Sequence, residues 1–242
     1  MIYAYRTEIG RRQSNQDYFY TPEAGEKPVV VVADGMGGHR AGNVASLIAI
    51  ESIHEYIQSN NEQRLQILLQ HAVSYANHRI FDVASTDADC SGMGTTVVMA
   101  YVESTKFTYA NVGDSRLYLF DGEHIRQLTR DHSFVEELVH SGVITRQEAE
   151  THPQRNILTR AVGTAQFVKA DTGVSKWKRG DIIMLCSDGL HGSVSRQEAE
   201  EILKTSADLL EACDRLTETA LANGSTDNIT VALVQNEGGE LL

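Results

Sequence analysis

Hydrophobic positions along this chain recur with two periods, and the two come in blocks. Short apolar or alternating runs at 2–8, 17–20 and 29–33 have the length and composition of β-strands. Two helical stretches follow. Leu47, Ile50, Ile53 and Ile57 recur at three- to four-residue spacing, and so do Leu65, Leu68, Leu69, Ala72, Ala76 and Ile80. Strand-like runs return at 95–102, 106–111, 116–120 and 124–128, with Asp121-Gly122 as the turn between the last two. Ser133 with Glu136, and Thr145 with Glu148, then mark two helix starts, and Gly142 ends the first short helix. Strands at 167–174 and 181–186 follow, then a helix opened by Ser195 and Glu198. A last helix carries Leu209, Cys213, Leu216 and Ala220 on one face, and 229–234 is the final strand. Strands and helices in blocks predict an α+β protein with largely antiparallel sheets covered by helices. There is no repeat and no long polar linker. One domain over 1–236 is expected, with a helical insertion after residue 129 and a frayed tail at 237–242.

The 242 residues are ample for a sizeable core. A formal net charge of -12 argues against broad nucleic-acid binding, because phosphate backbones require clustered Lys and Arg. The first residues carry charges and no apolar h-region, and no run is apolar enough to span a bilayer. A cytoplasmic protein without stable membrane association is expected. The 3 cysteines, Cys90, Cys186 and Cys213, suit reduced thiols, the last two in the core.

The chemistry lies at the strand ends. Apolar runs terminate in Asp34, Asp114 and Asp188, while Asp17 and Asp227 stand immediately before apolar runs. In an antiparallel sheet, the exit of one strand and the entry of the next share an edge, so all five carboxylates can converge. Unpaired, they would repel and take up protons. Hard divalent cations resolve that conflict, since Mg2+ and Mn2+ prefer oxygen ligands. Gly35 and Gly189 follow two of the acids and let the backbone approach and lend a carbonyl. The bland alternative is that Asp-Gly is a common turn dipeptide, as at Asp121-Gly122.

Arg12, five residues before Asp17, is placed either to clamp a phosphate through its planar fork or to remain a solvated charge. The glycines at 35, 37, 38 and 42 open into a helix, as an anion cradle or as a tight turn. His39 directly follows them. No Walker loop, nucleophile elbow or phosphate-loop cysteine motif is present.

Arg12 with Asn15-Gln16-Asp17, ADGMGGH at 33–39, GMGTT at 92–96, NVGDSR at 111–116, CSDGL at 186–190 and STDNITV at 225–231 together resemble the metal-dependent protein serine/threonine phosphatases. This is the PPM, or type 2C, family in its compact bacterial form, and the motifs occur in family order across nearly the whole chain. The resemblance implies an αββα sandwich of two antiparallel sheets, with residues 129–167 as a flap beside the active site. It implies two tightly bound Mn2+ or Mg2+ ions held by Asp34, the Gly35 carbonyl, Asp188 and Asp227, with Asp17 acting through water. A weaker third ion would lie at Asp114 with Asp188, and Arg12 would take the substrate phosphate. A water bridging the two ions would attack phosphorus, and the leaving alkoxide would take its proton from water or from His39. Met36 stands where eukaryotic members often have the proposed acid histidine, and Gln16 where many have Glu, which leaves the general acid open. Phosphorylated proteins, a membrane serine/threonine kinase as opposing partner, and a monomeric state are the implied relations. A phosphohydrolase of small esters and a non-catalytic regulator are the competing readings. Retention of Asp34, Asp188 and Asp227 weighs against the second.

Overall fold

The computed structural model describes residues 1–37 and 41–238. Its strands are β1 (Ile2–Glu8), β2 (Asp17–Tyr20), β3 (Val29–Met36), β4 (Gly94–Thr95), β5 (Val97–Val102), β6 (Lys106–Val112), β7 (Arg116–Phe120), β8 (Ile125–Gln127), β9 (Asp171–Lys176), β10 (Ile182–Cys186) and β11 (Ile229–Gln235). Its helices are α1 (Ala41–Ser59), α2 (Leu65–Thr86), α3 (Phe134–His140), α4 (Arg146–Glu150), α5 (Asp188–His191), α6 (Arg196–Thr205) and α7 (Leu209–Ala222). One sheet has the order β1-β11-β10-β7-β8 and the other β2-β3-β5-β6-β9, with β4 beside β3. Every pairing is antiparallel.

The period of two explains the layering. Along β3, Val30 and Val32 enter the core between the sheets, while Val29, Val31 and Ala33 pack under α1 and α2. In β10, Ile183 and Leu185 face the opposite sheet, and Ile182, Met184 and Cys186 face α6 and α7. Central strands buried on both faces therefore read as unbroken apolar runs. Each large aliphatic side chain taken fully from water contributes about 1.5–3 kcal/mol. The result is a four-layer αββα sandwich, as expected.

The helix starts read from the sequence are observed. Thr145 with Glu148 and Ser195 with Glu198 form full capping boxes, and the Ser133 side chain accepts from the Glu136 N–H. Two expectations need correction. The strand expected at 167–174 begins only at Asp171 and runs to Lys176, because β9 is a partly exposed edge strand with little apolar alternation. The run 95–102 is split at Thr96, whose backbone N–H bonds instead to the Asp34 carbonyl. Asn236, the last residue of the expected domain, is buried, and its side chain donates to the Ser104 carbonyl and accepts from the Gly238 N–H. Among the described residues, no helix is long and apolar enough to cross a membrane.

Candidate metal centre and phosphate site

Asp34 leaves β3 on the face that looks toward the other sheet, the side also occupied by Val30 and Val32. Its cross-strand partner is Asp17. Asp188 starts α5 just beyond β10, Asp227 stands before β11, and Asp114 lies in the turn between β6 and β7. Asp34, Asp114, Asp188 and Asp227 line one open cleft of about 450 Å3 together with Arg12, Gly35 and Asn156. Asp17 lies buried beneath it. The structure thus brings the five strand-end acids to one edge. His39 lies outside the described residues, as does Gly38.

The electrostatics of the cluster are those of crowded like charges. Burial, then the neighbouring carboxylates, pushes Asp188 up to about 6 and Asp114 up to about 7. Burial, helped by the charges of Asp188 and Asp227, outweighs the hydrogen bonds of Ser187 and Thr230 and pushes Asp17 up to about 7. Asp34 is raised by burial and then by Asp17, Asp188, Asp114 and Asp227. Oδ1 of Asp17 and Oδ1 of Asp188 are buried without a hydrogen-bond partner. Orphaned carboxylate oxygens converging on one cleft are a donor set for a hard cation, and thiolates are absent from its lining. Among the described residues, no three acidic, histidine or cysteine side chains are already drawn to ligand spacing. Arg12 occupies Asp227, with Nε at 2.8 Å from Oδ1 and Nη2 at 2.6 Å from Oδ2. The hard-oxygen donor set fits Mn2+ or Mg2+.

Several residues that position this cluster escaped the motif reading. Thr96 Oγ1 accepts from the Asp34 N–H at 3.0 Å and lies 2.7 Å from the Ser115 hydroxyl, while Thr95 Oγ1 donates to the Asp34 carbonyl at 2.8 Å. Ser187 donates to Asp17 Oδ2 at 2.7 Å and accepts from the Thr230 N–H. Two imidazoles, His132 buried and His191 half-buried, hold the Asp114 turn. His191 Nε2 donates to the Asp114 carbonyl at 3.0 Å, and His132 Nδ1 accepts from the Gly113 N–H at 3.0 Å. His132 is therefore protonated on Nε2, which donates to Asp171 at 3.2 Å. The close contact of β3 with α1 accounts for Gly35 and Gly42: a Cβ on Gly35 would fall 2.0 Å from the Gly42 carbonyl oxygen. GMGTT, NVGDSR, CSDGL and STDNITV contain the hydroxyls but not their roles, because hydroxyl and imidazole partners distant in sequence leave no periodic signal.

A sandwich of two antiparallel sheets with an acidic cleft at its rim defines a class of metal-dependent hydrolase, and comparison with known proteins specifies which. The family profile described as Protein phosphatase 2C matches residues 6–225. The chain is 42% identical over 237 residues to the serine/threonine phosphatase Stp of Listeria innocua, covering 96% of this chain and 94% of that protein. It is 39% identical to the protein phosphatase PhpP of Streptococcus pneumoniae, covering 94% of each. The crystal structure of Stp1 from Staphylococcus aureus superimposes with a TM-score of 0.91 at 36% identity, over 96% of this chain and 94% of that one. The catalytic domain of PstP, solved with two manganese ions, superimposes at 0.85 with 35% identity over 97% of each chain. This chain belongs to the protein phosphatase 2C family and is a metal-dependent protein serine/threonine phosphatase.

Proposed function

We propose that Asp34, the Gly35 carbonyl, Asp188 and Asp227 hold two Mn2+ or Mg2+ ions, that Asp17 acts on them through water, and that Asp114 with Asp188 holds a weaker third. The observation that carries this reading is the convergence of five buried or half-buried carboxylates, two with orphaned oxygens, on one rim of the sandwich. When bound, such ions neutralise the phosphoryl oxygens and activate water for in-line attack. The chain's own residues do the rest. Arg12, beside Asp227 and largely exposed, is free at its outer face to fork onto two of the three phosphoryl oxygens of a phosphoserine or phosphothreonine. Thr95, Thr96 and Ser187 fix the Asp34 backbone and the Asp17 carboxylate, which limits the rearrangement that ion binding demands of these two acids. Among the described residues, no side chain in the cleft is a nucleophile poised beside a base, which favours direct hydrolysis over a phosphoenzyme. His39 or water supplies the leaving-group proton in this scheme.

Residues 129–167 serve as the flap. They bound a second groove of about 720 Å3 that shares Asp114, Asn156 and Asp188 with the cleft. The substrates are phosphorylated proteins in the cytoplasm, the opposing enzyme a membrane serine/threonine kinase, and the chain acts as a monomer. The decisive experiment is metal titration. Chelation should abolish turnover of a phosphothreonine peptide and Mn2+ should restore it, while Asp188→Asn should stay folded but lose nearly all turnover and at least one tightly bound ion by calorimetry. Full activity in a protein shown to be metal-free, or wild-type ion binding in Asp188→Asn, would refute the assignment.

A further inference from the structure

The segment from Ile9 to Gln16 carries Arg12, yet none of its side chains is buried. Its C-terminal end is fixed by Asn43 Nδ2 on the Asn15 carbonyl and by the Gly35 N–H and Ser46 hydroxyl on the Gln16 carbonyl, and what ties the Arg12 half to that end is one residue of β11's approach. Asn228 is buried, with 4% of its surface exposed. Its Nδ2 donates to the Ile9 carbonyl at 2.9 Å and to the Ser14 carbonyl at 3.0 Å, and its Oδ1 accepts from the Gln16 N–H at 2.8 Å. Both amide hydrogens and the amide oxygen are thus spent on the two ends of one loop. The orientation of the amide is fixed, because carbonyls only accept and an N–H only donates. Gly10 lets the loop lie directly on the backbone of Asp227: its φ is +62°, and a Cβ there would fall 2.0 Å from the Asp227 carbonyl oxygen. The turn closes with the Arg12 N–H on the Ile9 carbonyl at 3.3 Å.

We infer that Asn228 is a positioning residue for substrate phosphate, acting through Arg12: it fastens the Ile9–Gln16 loop across the cleft and so presents the guanidinium already oriented. This rests on the reading of Arg12 as the phosphate clamp. Without Asn228 the Ile9–Ser14 part of the loop, which has no buried side chain, would have to be ordered by each incoming substrate, and that cost falls on binding. A ground-state clamp of this kind acts on KM, whereas Asp227, next in sequence, acts through the ions.

The test is steady-state kinetics on a phosphothreonine peptide at saturating Mn2+, with ion stoichiometry by calorimetry and inhibition by inorganic phosphate. Asn228→Ala should raise KM about tenfold and weaken phosphate inhibition by a similar factor, with kcat within about twofold and the tight ions retained. Because the effect travels through Arg12, the Arg12→Ala/Asn228→Ala double variant should have a KM no higher than Arg12→Ala alone. Should Asn228→Ala fail to fold, Asn228→Ser, whose hydroxyl can satisfy one of the uncovered carbonyls, carries the same expectation. A role in stability alone would lower the melting temperature and leave KM and phosphate inhibition untouched, which overturns the inference. So would an additive double variant, or a loss confined to kcat and bound ions, which would mean that Asn228 acts through Asp227. An Arg12→Ala enzyme of unchanged KM would overturn the phosphate reading itself, and this inference with it.

Discussion

Arg12 answers to two partners. In this structure its fork closes on Asp227, and the proposed chemistry turns it toward phosphate. Losing charge-assisted hydrogen bonds to a dianion costs about 1.5–3 kcal/mol, so Arg12→Ala should lower kcat/KM roughly ten- to a hundredfold, mainly through KM. Arg12→Lys should recover only part of this, since an ammonium lacks the planar fork. The ion pair adds an effect that spacing alone did not suggest. Removing Arg12 bares Asp227, so Mn2+ binding without substrate should tighten, by about fivefold at most for so exposed a pair. Calorimetry checks the second effect, and unchanged kinetics on the peptide would return Arg12 to solvated charge. At this scale the acids were legible, because each terminates or opens an apolar run. Asn228, Ser187, His132 and His191 were not: each is one polar residue whose meaning depends on a partner brought close only by folding.

Among the elements, α2 does more than cover a sheet. Asn77, buried on its inner face, accepts the Gly163 N–H at 2.7 Å and donates to the Ala165 and Gln166 carbonyls. It thereby ties down the return of the 129–167 excursion, whose outgoing end is held by His132. Asn77→Ala leaves the Gly163 N–H buried without this acceptor, and such an orphaned group costs about 1–3 kcal/mol. Urea unfolding should show that loss, and limited proteolysis should cut faster within residues 143–157. Wild-type stability and cleavage in the variant would mean that the contact is incidental. The helices of this chain were readable because caps and three- to four-residue spacing are local. The onset of β9 was not, because Phe167, 74% exposed, resembles a strand hydrophobe and instead stacks edge-on against His78.

For the whole molecule, the buried charges set a pH dependence that ions should reverse. Asp17, Asp34, Asp114 and Asp188 are all raised above the usual carboxylate value near 3.9, the first and third up to about 7. Between about pH 4 and 7 the folded chain retains protons that the unfolded chain has released, so metal-free stability falls as pH rises. His132 and His191 work in the opposite sense. Burial lowers both, His191 to about 3, so below about pH 6.5 the unfolded chain takes up protons that the fold refuses. Four acids outweigh two imidazoles where the windows overlap, and above about pH 6.5 the acids act alone. In chelator, the melting temperature should therefore be higher at pH 5.5 than at pH 7.5, and saturating Mn2+ should reverse the order. A chelated protein more stable at pH 7.5 would show that the carboxylates do not repel as their burial implies.

The pairing of Asp17 with Asp34 across β2 and β3 also limits how the length of this chain can vary. One extra residue between Val29 and Asp34 would exchange the faces of β3, moving the acid from the inter-sheet side into the layer beneath α1. Two extra residues would restore the face but carry the carboxylate some ~6.6 Å further along the strand, past its partners on the rim. An insertion between Tyr20 and Val29, at the end of the hairpin remote from the acids, alters neither parity nor reach. Length changes in the β2–β3 hairpin compatible with activity are thus confined to its connection between Tyr20 and Val29, and the two strands themselves must keep their residue count.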